Sequence, residues 1–454
     1  MKRNNLVYLC LLSALFINSC NSANNSNINE STSNNAANSE AYVNILDYGA
    51  KGDDTKDDYN AFAKAALANK SIYVPAGTYY VSKPIQLFNC NLIGAGVFQT
   101  FIYSTDTSLN TCVIEAGRTC VIENVTIGFK KGIVNGNELQ GERVGLKTGS
   151  NGYSLQRGSA IRNCRFTDCG TAIYGDNEEN QASFSVTYDT LEIIDFSFRG
   201  IDFESNIRTG NVYNNIYIIS QHKEVDSLMY LAGEESEATF TQINLEHTKC
   251  RNALTLDGVR AFTINSLHIE GCHLNNEGES LININNSSGV IDALSVYYIA
   301  LDYKNLSIIN VMDNSYDVGS SYSPATLGYL KINNFHVKGL HCPHAPIWGN
   351  RTDGLNNKDN EGFTFISRPL NAKNDYVVRV ENYIYYTFLN DMDKYEEFAC
   401  DSNNRITFEK KGVIKTYGPT SERPTTRLCP YYSTYYDTTL HELFIYDGTN
   451  WIDI

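Results

Sequence analysis

From Val125 onward a short pattern recurs: a small or amide residue, an apolar residue, a variable residue and a second apolar residue. The instances are Asn124-Val125-Thr126-Ile127, Asn163-Cys164-Arg165-Phe166, Thr190-Leu191-Glu192-Ile193, Asn215-Ile216-Tyr217-Ile218, Gln242-Ile243-Asn244-Leu245, Ser266-Leu267-His268-Ile269, Ala293-Leu294-Ser295-Val296 and Asn334-Phe335-His336-Val337. Their first apolar positions are separated by 39, 27, 25, 27, 24, 27 and 41 residues. A near-constant interval of this size marks a repeat architecture. The period-2 alternation inside each instance predicts strands rather than the paired helices of other repeats. Second apolar runs follow in several repeats, at Gly200–Phe203, Ala253–Leu256 and Ile282–Ile284. Two or three short strands per repeat predict a coil of parallel β-strands. The long intervals are expected to hold inserted loops, residues 130–159 most clearly. The amides before each apolar pair are expected to stack at one corner and hydrogen-bond along the axis, which is a structural role.

The first forty residues read differently. Lys2 and Arg3 precede the apolar run Leu6–Ile17, which is too short to span a bilayer and has the layout of a secretory signal. It ends in Ile17-Asn18-Ser19-Cys20, similar to a bacterial lipobox, so Cys20 is the expected lipidation site and 1–20 the signal peptide. In residues 21–40, 13 of 20 are Asn or Ser, a composition that buries too little apolar surface to fold and predicts a tether. The resemblance to lipoproteins, with no Asp directly after Cys20, implies a lipid-anchored protein of the bacterial outer membrane or cell surface.

Charge narrows the function. Asp and Glu number 51 against 36 Lys and Arg, a formal net charge of −15, which excludes a nucleic-acid partner because phosphate neutralisation needs clustered cations. The 31 Tyr and 20 Phe lean the chain towards half-buried pleated surfaces.

Residues 44–96 resemble the entry segment of the pectate-lyase superfamily, which rhamnogalacturonase/epimerase-like enzymes and phage tailspikes share. The residues carrying the resemblance are Asp47-Tyr48-Gly49-Ala50-Lys51-Gly52-Asp53, Thr55-Lys56-Asp57-Asp58, Ala61-Phe62 and Tyr73-Val74-Pro75-Ala76-Gly77-Thr78-Tyr79. Asp54 stands where the family usually has Gly, in a turn that tolerates Asp. The resemblance implies an all-β fold: a single-stranded right-handed parallel β-helix, pectin lyase-like, over 41–345, with an N-terminal helical cap and a small C-terminal β module over 346–454. Asp57 is expected to cap a helix from Tyr59 to Ala68 that covers the open end of the coil. Polygalacturonase-like members carry Gly-His-Gly and Arg-Ile-Lys. Neither occurs in this chain, which argues against that group's pectin hydrolysis.

Candidate chemistry therefore rests on which side chains the coil turns outward. The variable residue between each apolar pair faces out, as does the residue two further on. The first column reads Thr126, Arg165, Glu192, Tyr217, Asn244, His268, Ser295 and His336, and the second Gly128, Thr167, Ile194, Ile219, Glu246, Glu270, Tyr297 and Lys338. Glu246 and Glu270 fall at equal offsets in neighbouring coils, about 4.8 Å apart. They are the expected catalytic pair, because two close carboxylates can be driven apart in pKa into an acid and a base. Glu192, Tyr217, Asn244, His268 and Tyr297 are the expected substrate-binding residues, the tyrosines offering faces on which sugar rings stack. A solvated polar face gives the same pattern and is the rival reading.

Elimination would need a cation, Ca²⁺ or an arginine beside a uronate; Arg165 and Lys338 face outward but lie far apart, and no cation-binding loop is recognisable. No metal site is assigned: His341-Cys342-Pro343-His344 lacks a second ligand pair with zinc-like spacing. Cys112 and Cys120 could bridge a hairpin, whereas Cys164 is expected to be a buried small hydrophobe. Near the end, Tyr435-Tyr436 and Trp451 are expected to pack around a hairpin turning at Asp447-Gly448, in a segment resembling a terminal module of phage tail and bacterial surface proteins, which reads as an element of a homotrimer, a glycan-contacting knob or a plain β cap on the coil. The leading expectation is a surface-tethered enzyme acting on an acidic or complex polysaccharide, hydrolase ahead of lyase. The rivals are a glycan-binding, adhesin-like β-helix and a protein derived from a phage tailspike.

Overall fold

The computed structural model describes residues 42–68, 71–150, 152–175, 183–204, 208–222, 224–274, 279–301, 306–312, 329–338, 363–367, 377–386, 397–400, 406–409, 417–423, 434–446 and 450–453. The amphipathic alternation closes into a right-handed parallel β-helix of about nine turns among these residues. One long sheet runs through Val121–Phe129, Ala160–Thr167, Thr187–Ile194, Asn211–Ile219, Ala238–Glu246, Phe262–Glu270, Gly289–Tyr297 and Tyr329–Lys338, each parallel to the next. A second sheet stacks Cys112–Gly117, Val144–Lys147, Thr171–Gly175, Arg199–Phe203, Val225–Glu235, Cys250–Val259, Ser280–Asn285 and Leu306–Met312. Residues 130–159 are thus not all inserted loop: Val144–Lys147 supplies that coil's strand in the second sheet, and Gly149–Ser150 forms a hairpin with Tyr153–Ser154. Parallel pairing also runs past residue 345, since Val377–Tyr386 pairs with Tyr329–Lys338 in the register Asn334 to Asn382 and Phe335 to Tyr383.

The apolar pairs of the repeat line the interior. Val125, Ile127, Phe166, Leu191, Ile193, Ile216, Ile218, Leu245, Leu267, Ile269, Leu294 and Val296 are all buried, and Cys164 is buried among them. Because each coil repeats the last, like side chains stack: Tyr188 lies 5.3 Å from Tyr213, and Tyr213 lies 4.8 Å from Phe240, with rings nearly parallel. Such pairs add about 0.5–1.5 kcal/mol each beyond the area they bury.

The amides at the corner have a second role besides the ladder. Asn124, Asn163, Thr190 and Asn215 all have positive φ, near +50° to +60°, so the strand bends there through a left-handed residue. Asn reaches that region more readily than most side chains because its short amide can bond locally. The ladder exists as well: Asn163 donates to Asn124 Oδ1 at 2.5 Å and Asn215 to Thr190 Oγ1 at 3.4 Å. A second left-handed corner follows the outward columns at Asp168, Asp195, His247, Gly271 and Tyr298. At Gly271 (φ +64°) an added Cβ would lie 2.3 Å from His247 Nδ1, so the glycine serves both backbone and neighbour.

The N-terminal signature closes the coil. The helix spans Tyr59–Ala66 and ends earlier than expected; Phe62 is fully buried with its ring 5.9 Å from Tyr79. Asp57 accepts the Tyr59 N–H, while Asp58, at the cap position, is buried and instead accepts the Lys51 and Gly52 N–H groups. Asp54 sits at φ +57°, in the left-handed region that glycine enters most readily. Near the C-terminus, Thr434–Asp437, Glu442–Tyr446 and Trp451–Asp453 form antiparallel neighbours, and Trp451 packs 6.0 Å from Tyr435. The turn at Asp447-Gly448 lies outside the described residues.

The cysteine bridge is corrected. Cys112 and Cys120 are both buried and neither is in a disulfide, as is true of Cys90, Cys164, Cys169, Cys250 and Cys272. Cys112 lies at the start of a strand of the second sheet and Cys120 follows that strand, so they do not face each other across a hairpin.

Candidate functional site

Both outward columns form in the predicted register. Arg165, Glu192, Tyr217, Asn244, His268, Ser295 and His336 are successive partners, and Glu246, Glu270, Tyr297 and Lys338 are partners beside them. The first residue differs from expectation. Thr126 is fully buried because the segment around Val97 covers it, and its hydroxyl donates to the Val97 carbonyl.

Within the strip the side chains sort into two groups. At one end, Arg165 Nε lies 3.1 Å from Glu192 Oε2, and its guanidinium sits 5.3 Å over the ring of Phe98. A groove of about 310 Å³ opens here, with Phe98, Asn163, Thr190, Glu192, Asn215 and Tyr217 in its lining. Phe98 is 69% exposed, a large aromatic face presented to solvent. Towards the other end, His268 Nε2 lies 3.0 Å from Glu270 Oε2 and 4.0 Å from Glu246 Oε1. Tyr297 meets the His268 ring edge-on at 5.3 Å. Burial and the neighbouring Glu246 push the Tyr217 phenol above its ordinary range, which keeps it a neutral donor beside that carboxylate. The strip thus brings together Tyr217, Glu246, His268, Glu270 and Tyr297. Asn244 stands in register between Tyr217 and His268, and Glu192 belongs to the arginine pair at the groove.

The two carboxylates both approach one imidazole nitrogen. Their nearest oxygens are therefore at most about 7 Å apart, the sum of the two distances. Carboxyl pairs about 5–5.5 Å apart serve retaining glycoside hydrolysis and pairs about 6.5–9.5 Å apart serve inversion. The strip admits either.

A second ionisable cluster, on the second sheet, escaped the sequence reading. Arg199 donates to Asp202 Oδ1 (2.8 Å), Glu204 Oε1 (2.8 Å) and Asp226 Oδ2 (2.5 Å), and lies 3.8 Å over the Tyr230 ring. Arg251 joins Asp226 (3.6 Å) to Glu279 (2.9 Å). Asp202 is wholly buried, and its Oδ2 has no hydrogen-bond partner. Burial lifts its carboxyl to about 6 against the opposing pull of Arg199. The signal that could have found this cluster is the alternation of Asp202 and Glu204 with the inward Ile201 and Phe203, with Arg199 just before them, read with the same register logic as the first sheet.

Among the described residues, no group of three or more His, Cys, Asp and Glu side chains is arranged to hold a metal ion. Cys20 and the His341–His344 segment lie outside the described residues.

Comparison with known proteins places this fold. Residues 42–124 match the family model of rhamnogalacturonase A/epimerase, pectate lyase-like. That match lies at the N-terminal end of the parallel β-helix described above, and over those residues the chain resembles the family. Over 163 residues the chain is 32% identical to the preneck appendage protein of Bacillus phage PZA and 31% identical to that of Bacillus phage phi29; each match covers 36% of this chain and 17% of the phage protein. Among solved structures, the A-module of an Azotobacter vinelandii mannuronan C-5 epimerase is 16% identical over 76% of this chain and 98% of its own, with a TM-score of 0.35. The enzymatically active domain of tailspike protein 2 from bacteriophage CBA120 is 16% identical over 76% of this chain and 43% of its own, with a TM-score of 0.42.

Proposed function

We propose that the chain is a carbohydrate-active β-helix protein that binds a polysaccharide along the outward strip of the first sheet and hydrolyses it. The observation that carries this reading is the in-register pair Glu246 and Glu270 with His268 Nε2 at 4.0 and 3.0 Å from their carboxylates. In this reading the two carboxyls divide the acid and base roles, His268 fixes their orientation, and Tyr217 and Tyr297 offer aromatic surface to sugar rings. The match to the rhamnogalacturonase A/epimerase model supports carbohydrate chemistry on this scaffold.

Hydrolysis is favoured over elimination by where the cations stand. Among the described residues of the strip, the arginine is Arg165, already paired with Glu192 and three coils from Glu246 along the column, roughly 14 Å. Elimination would require a cation beside the carboxylate pair to neutralise a uronate.

The test is a panel of polysaccharides incubated with the protein, read by new reducing ends and by absorbance of unsaturated uronate. Reducing ends without that absorbance are expected. Glu246→Gln and Glu270→Gln should each lower turnover by at least about a hundredfold, the scale of a general acid or base. Full activity in both variants discards the site.

A second reading, a glycan-binding β-helix of tailspike descent without catalysis, is favoured by the phage appendage match. Binding without bond cleavage in the same panel would select it. In either reading we propose that lipidated Cys20 tethers the protein to the outer membrane, with residues 21–40 as the spacer.

A further inference from the structure

Taking the strip as the substrate site, we propose that its substrate is an uncharged polysaccharide and that uronate or sulfated chains are disfavoured by the strip itself. From Arg165 to Tyr297 the ionisable side chains of the two columns are Arg165, Glu192, Glu246, Glu270 and His268, with tyrosines between them. The arginine is neutralised within the strip, 3.1 Å from Glu192 and covered on one face by Phe98. Glu246 and Glu270 lie beside His268. Leaving His268 aside, the strip carries one basic and three acidic side chains. The next basic position in the second column, Lys338, is two coils beyond Glu270, roughly 10 Å.

A polyanionic glycan laid along this path would pass Glu192, Glu246 and Glu270 with one already paired arginine to offset them, and like charges repel. The groove offers other chemistry. Phe98 and Tyr217 present aromatic faces for the C–H faces of sugar rings, and Asn163, Asn215 and Thr190 present amide and hydroxyl groups that both donate and accept. That set fits hydroxyls, which themselves donate and accept, better than carboxylates, which only accept. The overall charge of −15 acts in the same sense at longer range.

This inference rests on the strip as the binding site, and the experiment separates the two. Acidic polysaccharides, polygalacturonate and alginate, are compared with their carboxyl-reduced counterparts and with neutral glucans, for binding and for release of reducing ends, at low and high salt. The expected result is binding and cleavage of neutral members, acidic forms at least tenfold weaker than their reduced counterparts at low salt, and a gap that narrows at high salt through screening. Glu192→Gln, which frees Arg165, should raise binding of acidic forms several-fold relative to neutral ones. An acidic polymer bound or cleaved better than its reduced counterpart, with salt weakening it, overturns the inference while leaving the strip as the site. If no member is bound or cut, the proposed function fails and this inference with it.

Discussion

Replacing Asp202 with asparagine is the sharpest test of how the second-sheet cluster is balanced. Asp202 is buried without exposure, accepts one hydrogen bond from Arg199 through Oδ1, and leaves Oδ2 without a partner. Its carboxyl stands at about 6 in the fold against an ordinary value of 3.8, because desolvation outweighs the attraction of Arg199. The fold therefore binds this proton more tightly than the unfolded chain does. The stability it contributes is fully present below pH 3.8 and is lost as pH rises through about 6. A difference of about two pKa units corresponds to roughly 3 kcal/mol, on the order of what the ionised group costs the fold at pH 8. Asparagine keeps an oxygen towards Arg199 and places its NH₂ where Oδ2 makes no bond. Arg199 keeps Glu204 and Asp226, so no buried cation is stranded. The variant should match the wild type near pH 4 and exceed it by up to about 3 kcal/mol at pH 8. Urea unfolding at both pH values, with amide exchange in Arg199–Phe203 as the local readout, measures this. A variant less stable than wild type at pH 8 would show that the charge attraction of Arg199 outweighs burial and would refute the reasoning.

Two further outcomes follow from the fold and the proposed lipid anchor. Asn163→Ala should destabilise the coil by about 1–3 kcal/mol through left-handed strain and the lost ladder bond, whereas Asn163→Gly, which removes only the bond, should cost about half that or less in denaturant unfolding; equal losses would assign the residue to the ladder alone. Cys20→Ser should move the protein from the membrane fraction to the soluble fraction on cell fractionation, and unchanged membrane association would remove the lipid anchor from the account.

The coil and the register of its outward columns were legible because both follow from one physical fact. Alternation of period two fixes which side chains face in, and a constant interval fixes which face the same neighbour in the next coil. Glu246 and Glu270 could be paired on paper for that reason, and their partnership with His268 needed only the side chains to turn towards each other. The corner residues were half-read. An amide suits a ladder, but Asn124, Asn163, Thr190 and Asn215 share a positive φ, and a recurring Asn carries that backbone signal as well as the amide one. Thr126 was misplaced because its burial depends on the Val97 segment, which belongs to no repeat.

The Arg199 cluster shows where reasoning along single columns stops. Arg199, Asp202 and Glu204 come from one coil, Asp226 and Arg251 from the next two, and Glu279 from the coil after, so the network crosses columns as well as coils. Tyr230 follows Asp202 in register, yet its ring lies over Arg199. Register states which backbones are adjacent; it does not state that an arginine will reach diagonally to three carboxylates. The placement of charge differs between the sheets as a result. On the first sheet Glu246 and Glu270 stay partly exposed to solvent beside a histidine. On the second sheet carboxylates converge on Arg199 and one of them, Asp202, is wholly buried, a geometry in which protonation alters the balance of the scaffold rather than the exposed strip.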